Sequence, residues 1–122
     1  MRPIKFRGKD HRTNQWLYGS LMIFKGGHSI LDEDYDPNSH RPIYKETAGQ
    51  YTGFKDRDGR EIYEGDVLID EDGRKAEVYW NLYCGRFDLH YYFIEDWAVK
   101  SFIEWLNYTN ARLFTVVGNV HE

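Results

Sequence analysis

A chain of 122 residues with a net charge of -4, 41% apolar and 30% charged residues can form one core without staples, and is too apolar to be disordered. Its single cysteine, Cys84, excludes an internal disulfide and a cysteine cluster for zinc. No apolar run approaches the roughly 20 residues of a membrane span, and no signal-peptide core follows Met1, so the expectation is a single domain over 1–122 inside the cell. Aromatic residues make up 17% of the chain, which favours strands.

The first residues alternate, Ile4 and Phe6 against Lys5 and Arg7, with the period of a half-buried strand. A polar reversal from Gly8 to Asn14 and an apolar run from Trp16 to Phe24 complete a predicted hairpin, closed by Gly26-Gly27. Charge is uneven: residues 1–60 carry 11 basic against 8 acidic residues, and residues 61–122 carry 5 against 12. The basic opening (Arg2, Lys5, Arg7, Lys9, Arg12) reads either as a footprint for an anionic partner or as a solvated strand face.

Residues 28–45 read as a long acidic loop, with His28, Asp32, Glu33, Asp34, Asp36, Asn38 and His40 in a segment that also holds Pro37 and Pro42. An EF-hand reading fails because Pro37 stands where the loop needs glycine and Ile43 where it needs glutamate. The weaker idea of His28, His40 and the carboxylates around a divalent ion lacks preorganisation. No metal and no cofactor is expected.

The stretch Gly49 to Ile69 organises the chain. Asp58-Gly59, between Phe54 and Ile62, is expected to supply two left-handed positions of a tight reversal. Gly65-Asp66 bends the chain into Val67-Leu68-Ile69. Gly53, Asp58, Gly59, Gly65 and Asp66 are thus read as turn residues, with structural reasons sufficient for each. Asp72-Gly73 marks another reversal. Residues 75–80 and 86–93 alternate cleanly and predict a hairpin, with Cys84 in or beside its turn and no triad partner in view. Val99, Phe102, Ile103 and Leu106 fall at i, i+3, i+4 and i+7, which predicts an amphipathic helix over about 97–107, capped by Asp96 and ended by Asn107–Asn110. Leu113 to Val117 reads as a last strand. The fold class is mainly β: an antiparallel sheet or partly open barrel built from hairpins, with that one short helix.

The opening I-K-F-R-G at 4–8, Trp16-Leu17-Tyr18-Gly19, the central G-Q-Y-T-G-F-K-D-R-D-G-R-E-I-Y-E-G-D-V at 49–67 and V-G-N-V-H-E at 117–122 together resemble the YopX family of phage and prophage proteins. The resemblance implies a largely β domain of unknown function working in the cytoplasm of a bacterial host, and it brings no catalytic residues. Absent any catalytic constellation, the expected role is a protein-interaction or regulatory module, pairing with another protein or with itself. The alternative is a nucleic-acid-binding accessory protein. Candidate interaction residues are Arg2, Lys5, Arg7, Trp16, Tyr18, Tyr51 and Phe54, as charges and stacking surfaces.

Overall fold

The computed structural model describes residues 3–32, 40–95 and 97–122, and its chain divides into two compact units, Met1–Tyr51 and Thr52–Glu122.

In the first unit, β1 (Phe6–Lys9) and β2 (Trp16–Phe24) form the expected hairpin, with Lys9 opposite Trp16 and Phe6 opposite Gly19. The first strand runs on through Lys9, so the reversal is shorter than Gly8 to Asn14. Asp10 closes it by accepting the Arg12 N–H at 2.8 Å and donating its own N–H to the Gln15 carbonyl. A second hairpin joins β2 to β3 (Gly27–Asp32) through Lys25 and Gly26, with φ of 50° and 79°. Two left-handed residues in a row define a type I′ turn, whose twist matches that of paired strands. The region expected to be one long loop from 28 to 45 is therefore strand at its described ends. β3 runs to Asp32, β4 (His40–Pro42) pairs with it, and a 3-10 turn covers Lys45–Thr47. Leu31 and Ile30 pair with His40 and Arg41 there, because backbone pairing overrides a polar composition. Residues 33–39, with Glu33, Asp34 and Asp36, lie outside the described residues.

The strand order is β4-β3-β2-β1-β5, where β5 is Gly49–Lys55 and its first residues pair with β1. Leu17, Ile30 and Ile43 form the core of this unit, with Phe6, Leu21 and Ala48 against them. Strands β2 and β3 approach so closely at Gly19 that a Cβ there would overlap the Leu31 carbonyl.

The second unit begins as β5 passes Tyr51 and pairs with β6 (Glu61–Tyr63). A five-stranded antiparallel sheet follows in the order β10-β9-β8-β7-β11: β7 is Asp66–Ile69, β8 Lys75–Asn81, β9 Arg86–Glu95, β10 Ala98–Trp105 and β11 Thr115–Asn119. The β8–β9 hairpin is the one the alternation predicts. Val78 pairs with Leu89 and Ala76 with Tyr91, and all four are buried. With Ile62, Leu68, Leu106 and Phe114 they form the second core. Each fully buried aliphatic side chain contributes about 1.5–3 kcal/mol.

The helix expected over 97–107 is not there. Residues 98–105 form β10, paired with β9 in an unbroken register from Ala98 opposite Glu95 to Trp105 opposite Asp88. The apolar spacing of Val99, Phe102, Ile103 and Leu106 is helical, but β-branched and aromatic side chains suit a pleated surface. Pairing with β9 overrides the helical period. Asp96, expected as the cap, lies outside the described residues. A short helix does exist further on, α1 (Tyr108–Ala111), and Asn107 starts it where a terminator was expected. The Asn107 side chain accepts the N–H groups of Thr109 and Asn110, and the Asn110 side chain accepts the Asn107 N–H at 2.8 Å. This reciprocal cap satisfies three backbone donors at once. The final strand begins at Thr115, two residues later than expected.

Gly19→Ala should lower unfolding stability by about 2 kcal/mol or more, because the clash is with backbone that cannot move aside without breaking the ladder. Urea denaturation followed by tryptophan fluorescence checks this, with Gly26→Asn as a near-neutral control at an open left-handed site.

Candidate functional site

The aspartates of the central stretch hold backbone. Asp56 is buried, and its Oδ1 accepts the N–H groups of Asp58 and Arg60, both at 2.9 Å, while Oδ2 accepts the Val116 N–H of β11 at 3.0 Å. Asp56 also closes the reversal through its own N–H to the Arg60 carbonyl and its carbonyl to the Gly59 N–H. Of the dipeptide Asp58-Gly59 only Gly59 is left-handed, at φ 82°. The loop is therefore a type I turn followed by one left-handed residue, not a turn with two. The same bonds recur at Asp70, whose Oδ1 accepts the Asp72 and Arg74 N–H groups. Two D-x-D-G-R segments thus fold alike. Gly53 and Gly65 are left-handed too, at 89° and 91°. Asp66, buried, accepts the Tyr63 N–H through Oδ2 at 2.8 Å. Among the described residues no group of His, Cys, Asp or Glu is placed to hold a metal ion.

The basic opening strand is largely spent on packing. Arg7 is 6% exposed and lies 4.8 Å over the Trp16 ring; Lys5 lies 5.8 Å over Tyr51, which is 4% exposed. Tyr18, opposite Arg7 in the register, is exposed. Phe54 belongs to the second unit and packs against its core. Arg2 lies outside the described residues. Asp10, buried in the first unit, meets the Arg41 guanidinium at 2.7 Å. Burial pushes its carboxyl up, but the Arg12 N–H and the Arg41 charge outweigh this and hold it below the usual carboxylate value.

Exposed apolar side chains stand at the end of β2, where Met22, Ile23 and Phe24 reach solvent, and along β10, which ends the five-stranded sheet. Phe102, Ile103 and Trp105 are 41%, 54% and 55% exposed. Phe102 stacks on Tyr91 of β9, centroids 4.2 Å apart and planes 9° from parallel. On the same strand face, the Glu104 carboxylate accepts the Tyr91 O–H at 3.1 Å and the Asn110 side-chain N–H at 3.2 Å. Burial, then the charge of Glu104 and its hydrogen bond, push the Tyr91 phenol well above its ordinary value. Tyr91, Phe102, Glu104 and Asn110, with Asp70 and Arg74 from the second D-x-D-G-R turn, line a groove of about 290 Å³. None of these six was singled out from the sequence as a site residue. Read as a strand, residues 98–105 would have placed Phe102 and Glu104 on one face, and the helical reading hid this. On the opposite sheet face, fully buried Asp88 is held by Arg86 and Asn81, each at 2.7 Å, and Arg86 lies 5.8 Å from the Trp105 ring. Cys84 is exposed in the β8–β9 turn.

Across the described residues the molecule is an antiparallel β protein of two sheets, with no helix long and apolar enough to cross a membrane. The chain belongs to the YopX protein family, whose model matches residues 5–122. It is similar to protein EF1440 from Enterococcus faecalis, a crystal structure 20% identical in sequence, with a TM-score of 0.48 over 99% of this chain and 95% of that one. No curated protein matches the sequence.

Asp56→Ala should cost about 3 kcal/mol, since three backbone donors lose their acceptor in a buried place, whereas Asp58→Ala, at an exposed position, should change stability by under about 0.5 kcal/mol. Chemical denaturation of both variants checks the contrast. Tyr91 has a folded phenol value above its unfolded one, so its contribution to stability is complete below about pH 10 and is lost as pH rises beyond that. Phenolate absorbance on alkaline titration should therefore show one fewer late-titrating tyrosine in Tyr91→Phe than in the parent chain.

Proposed function

We propose that this protein is a non-enzymatic protein-interaction module that takes up an extended segment of another chain along β10. The observation that carries this reading is the character of that edge. Sheets guard their edges with short strands, prolines, bulges or charged side chains, lysine above all; β10 has eight residues paired without a shift and no proline, and its charges are Lys100 and Glu104. Among the described residues no strand pairs with its outer side, where the Trp105 carbonyl accepts the Asn107 and Asn110 side-chain N–H groups and the backbone before it can take a strand, and Ile103 and Trp105 offer apolar contact beside it. Strand addition uses both: main-chain bonds give affinity and alternate side chains give selectivity. Apolar anchors of this kind at the centre of a patch carry most of the free energy in interfaces. The partner is a host or phage protein or a second copy, and the setting implied by the family is the bacterial cytoplasm. No cofactor is needed.

The test is assembly. Light scattering coupled to size exclusion, together with binding to captured partner, should show association in the parent chain that falls at least tenfold in Ile103→Lys with Trp105→Lys. Both side chains are exposed, so the variant should keep the parent's circular dichroism and unfolding midpoint. Association unchanged in a folded double variant would remove β10 from the interface. A parent chain that is strictly monomeric and retains no protein would remove the reading altogether.

A further inference from the structure

We propose that the groove beside β10 binds the guanidinium or ammonium group of a basic side chain carried by the incoming strand; this deepens the strand-addition reading and rests on it. Two of the groove's residues, Phe102 and Glu104, sit on β10 itself. Directly opposite residues of paired strands project on one face with Cβ atoms about 4.5–5.5 Å apart. An added strand whose residue faces position 102 or 104 therefore directs that side chain towards the groove. The groove's volume of about 290 Å³ stands at the lower limit for small-molecule sites, and suits the end of one long side chain.

Its chemistry favours a cation. Two carboxylates, Asp70 and Glu104, stand against one guanidinium, Arg74. The donors that hold Glu104, the Tyr91 hydroxyl and the Asn110 amide, are neutral, so they orient the carboxylate without cancelling its charge. The stacked Tyr91 and Phe102 rings supply an aromatic wall, and Phe102 keeps 41% of its surface exposed. A cation within about 6 Å of such a ring face is attracted by its quadrupole. A guanidinium satisfies wall and carboxylate together, since its plane stacks on the ring while its edge donates to oxygen. A neutral side chain of the same shape would gain only the wall.

The experiment uses the whole chain and amide spectra recorded by nuclear magnetic resonance. Three probes are titrated: Nα-acetyl-arginine amide, its neutral isostere Nα-acetyl-citrulline amide, and a pentapeptide with arginine at the centre of alternating valine and threonine. The arginine amide and the peptide should shift the signals of Phe102, Glu104 and Asn110, the peptide should bind at least tenfold more tightly, and the citrulline amide should leave them in place. Glu104→Gln should weaken both arginine probes roughly tenfold, the size of effect expected for loss of one charged hydrogen bond. Phe102→Leu, which keeps an apolar side chain, should weaken them as well and covers a folding failure of the first variant. Equal shifts from arginine and citrulline, or none at these residues, would overturn the groove assignment. Loss of association in the Ile103→Lys, Trp105→Lys variant would then show the strand reading still standing. Arginine amide binding as tightly as the peptide would overturn the strand-borne source and leave a site for a free small cation.

Discussion

The second unit depends on one buried carboxylate. Asp56 accepts the N–H groups of Asp58, Arg60 and Val116, so it shapes the reversal after β5 and fixes where β11 begins. Arg57 adds a backbone bond to the Phe114 carbonyl at 2.9 Å, and the Arg60 guanidinium donates to the Val116 carbonyl at 3.0 Å. One turn thus meets the last strand at several points. A buried carboxylate would be costly alone, and here three N–H dipoles compensate it. An oxygen pair consumed in this way is architecture.

The same pentapeptide logic has two different settings. Around Asp56 the D-x-D-G-R turn is locked to β11. Around Asp70 the turn makes the same internal bonds, and its Asp70 and Arg74 reach the lip of the groove beside β10. Local chemistry sets the shape of both turns, while position in the sheet leaves one inert and gives the other charges to present. Glu104 and Asp70 on one groove, with an aromatic stack between strands, make a place where an incoming cation gains from charge and ring at once.

Strand β10 also explains why its neighbourhood was hard to read. Val99, Phe102, Ile103 and Leu106 satisfy a helical stripe, and positions 98 to 105 (A-V-K-S-F-I-E-W) carry only a broken alternation, so the periodicity favours the helix and only the pairing overrides it. The ladder with β9 does this, because every residue of β10 gains a partner in that register. The basic opening strand reads from sequence as a partner footprint or as a solvated face, and cation–ring contacts with Trp16 and Tyr51 hold Arg7 and Lys5 against the protein.

From the residues alone came the β class, the hairpins at 4–24 and 75–93, the reversals at Gly26, Gly59 and Gly73, and the family to which the chain belongs. These depend on chemistry local in sequence: a left-handed glycine, an aspartate bonding two residues on, an alternation of period two. Tertiary structure alone decided that residues 98–105 are an edge strand, that Asn107 opens a helix instead of ending one, and that Tyr91, Glu104, Asn110 and Asp70 share one groove. Each of those depends on partners far apart along the chain, and a pattern read within ten residues carries no record of which strand lies alongside.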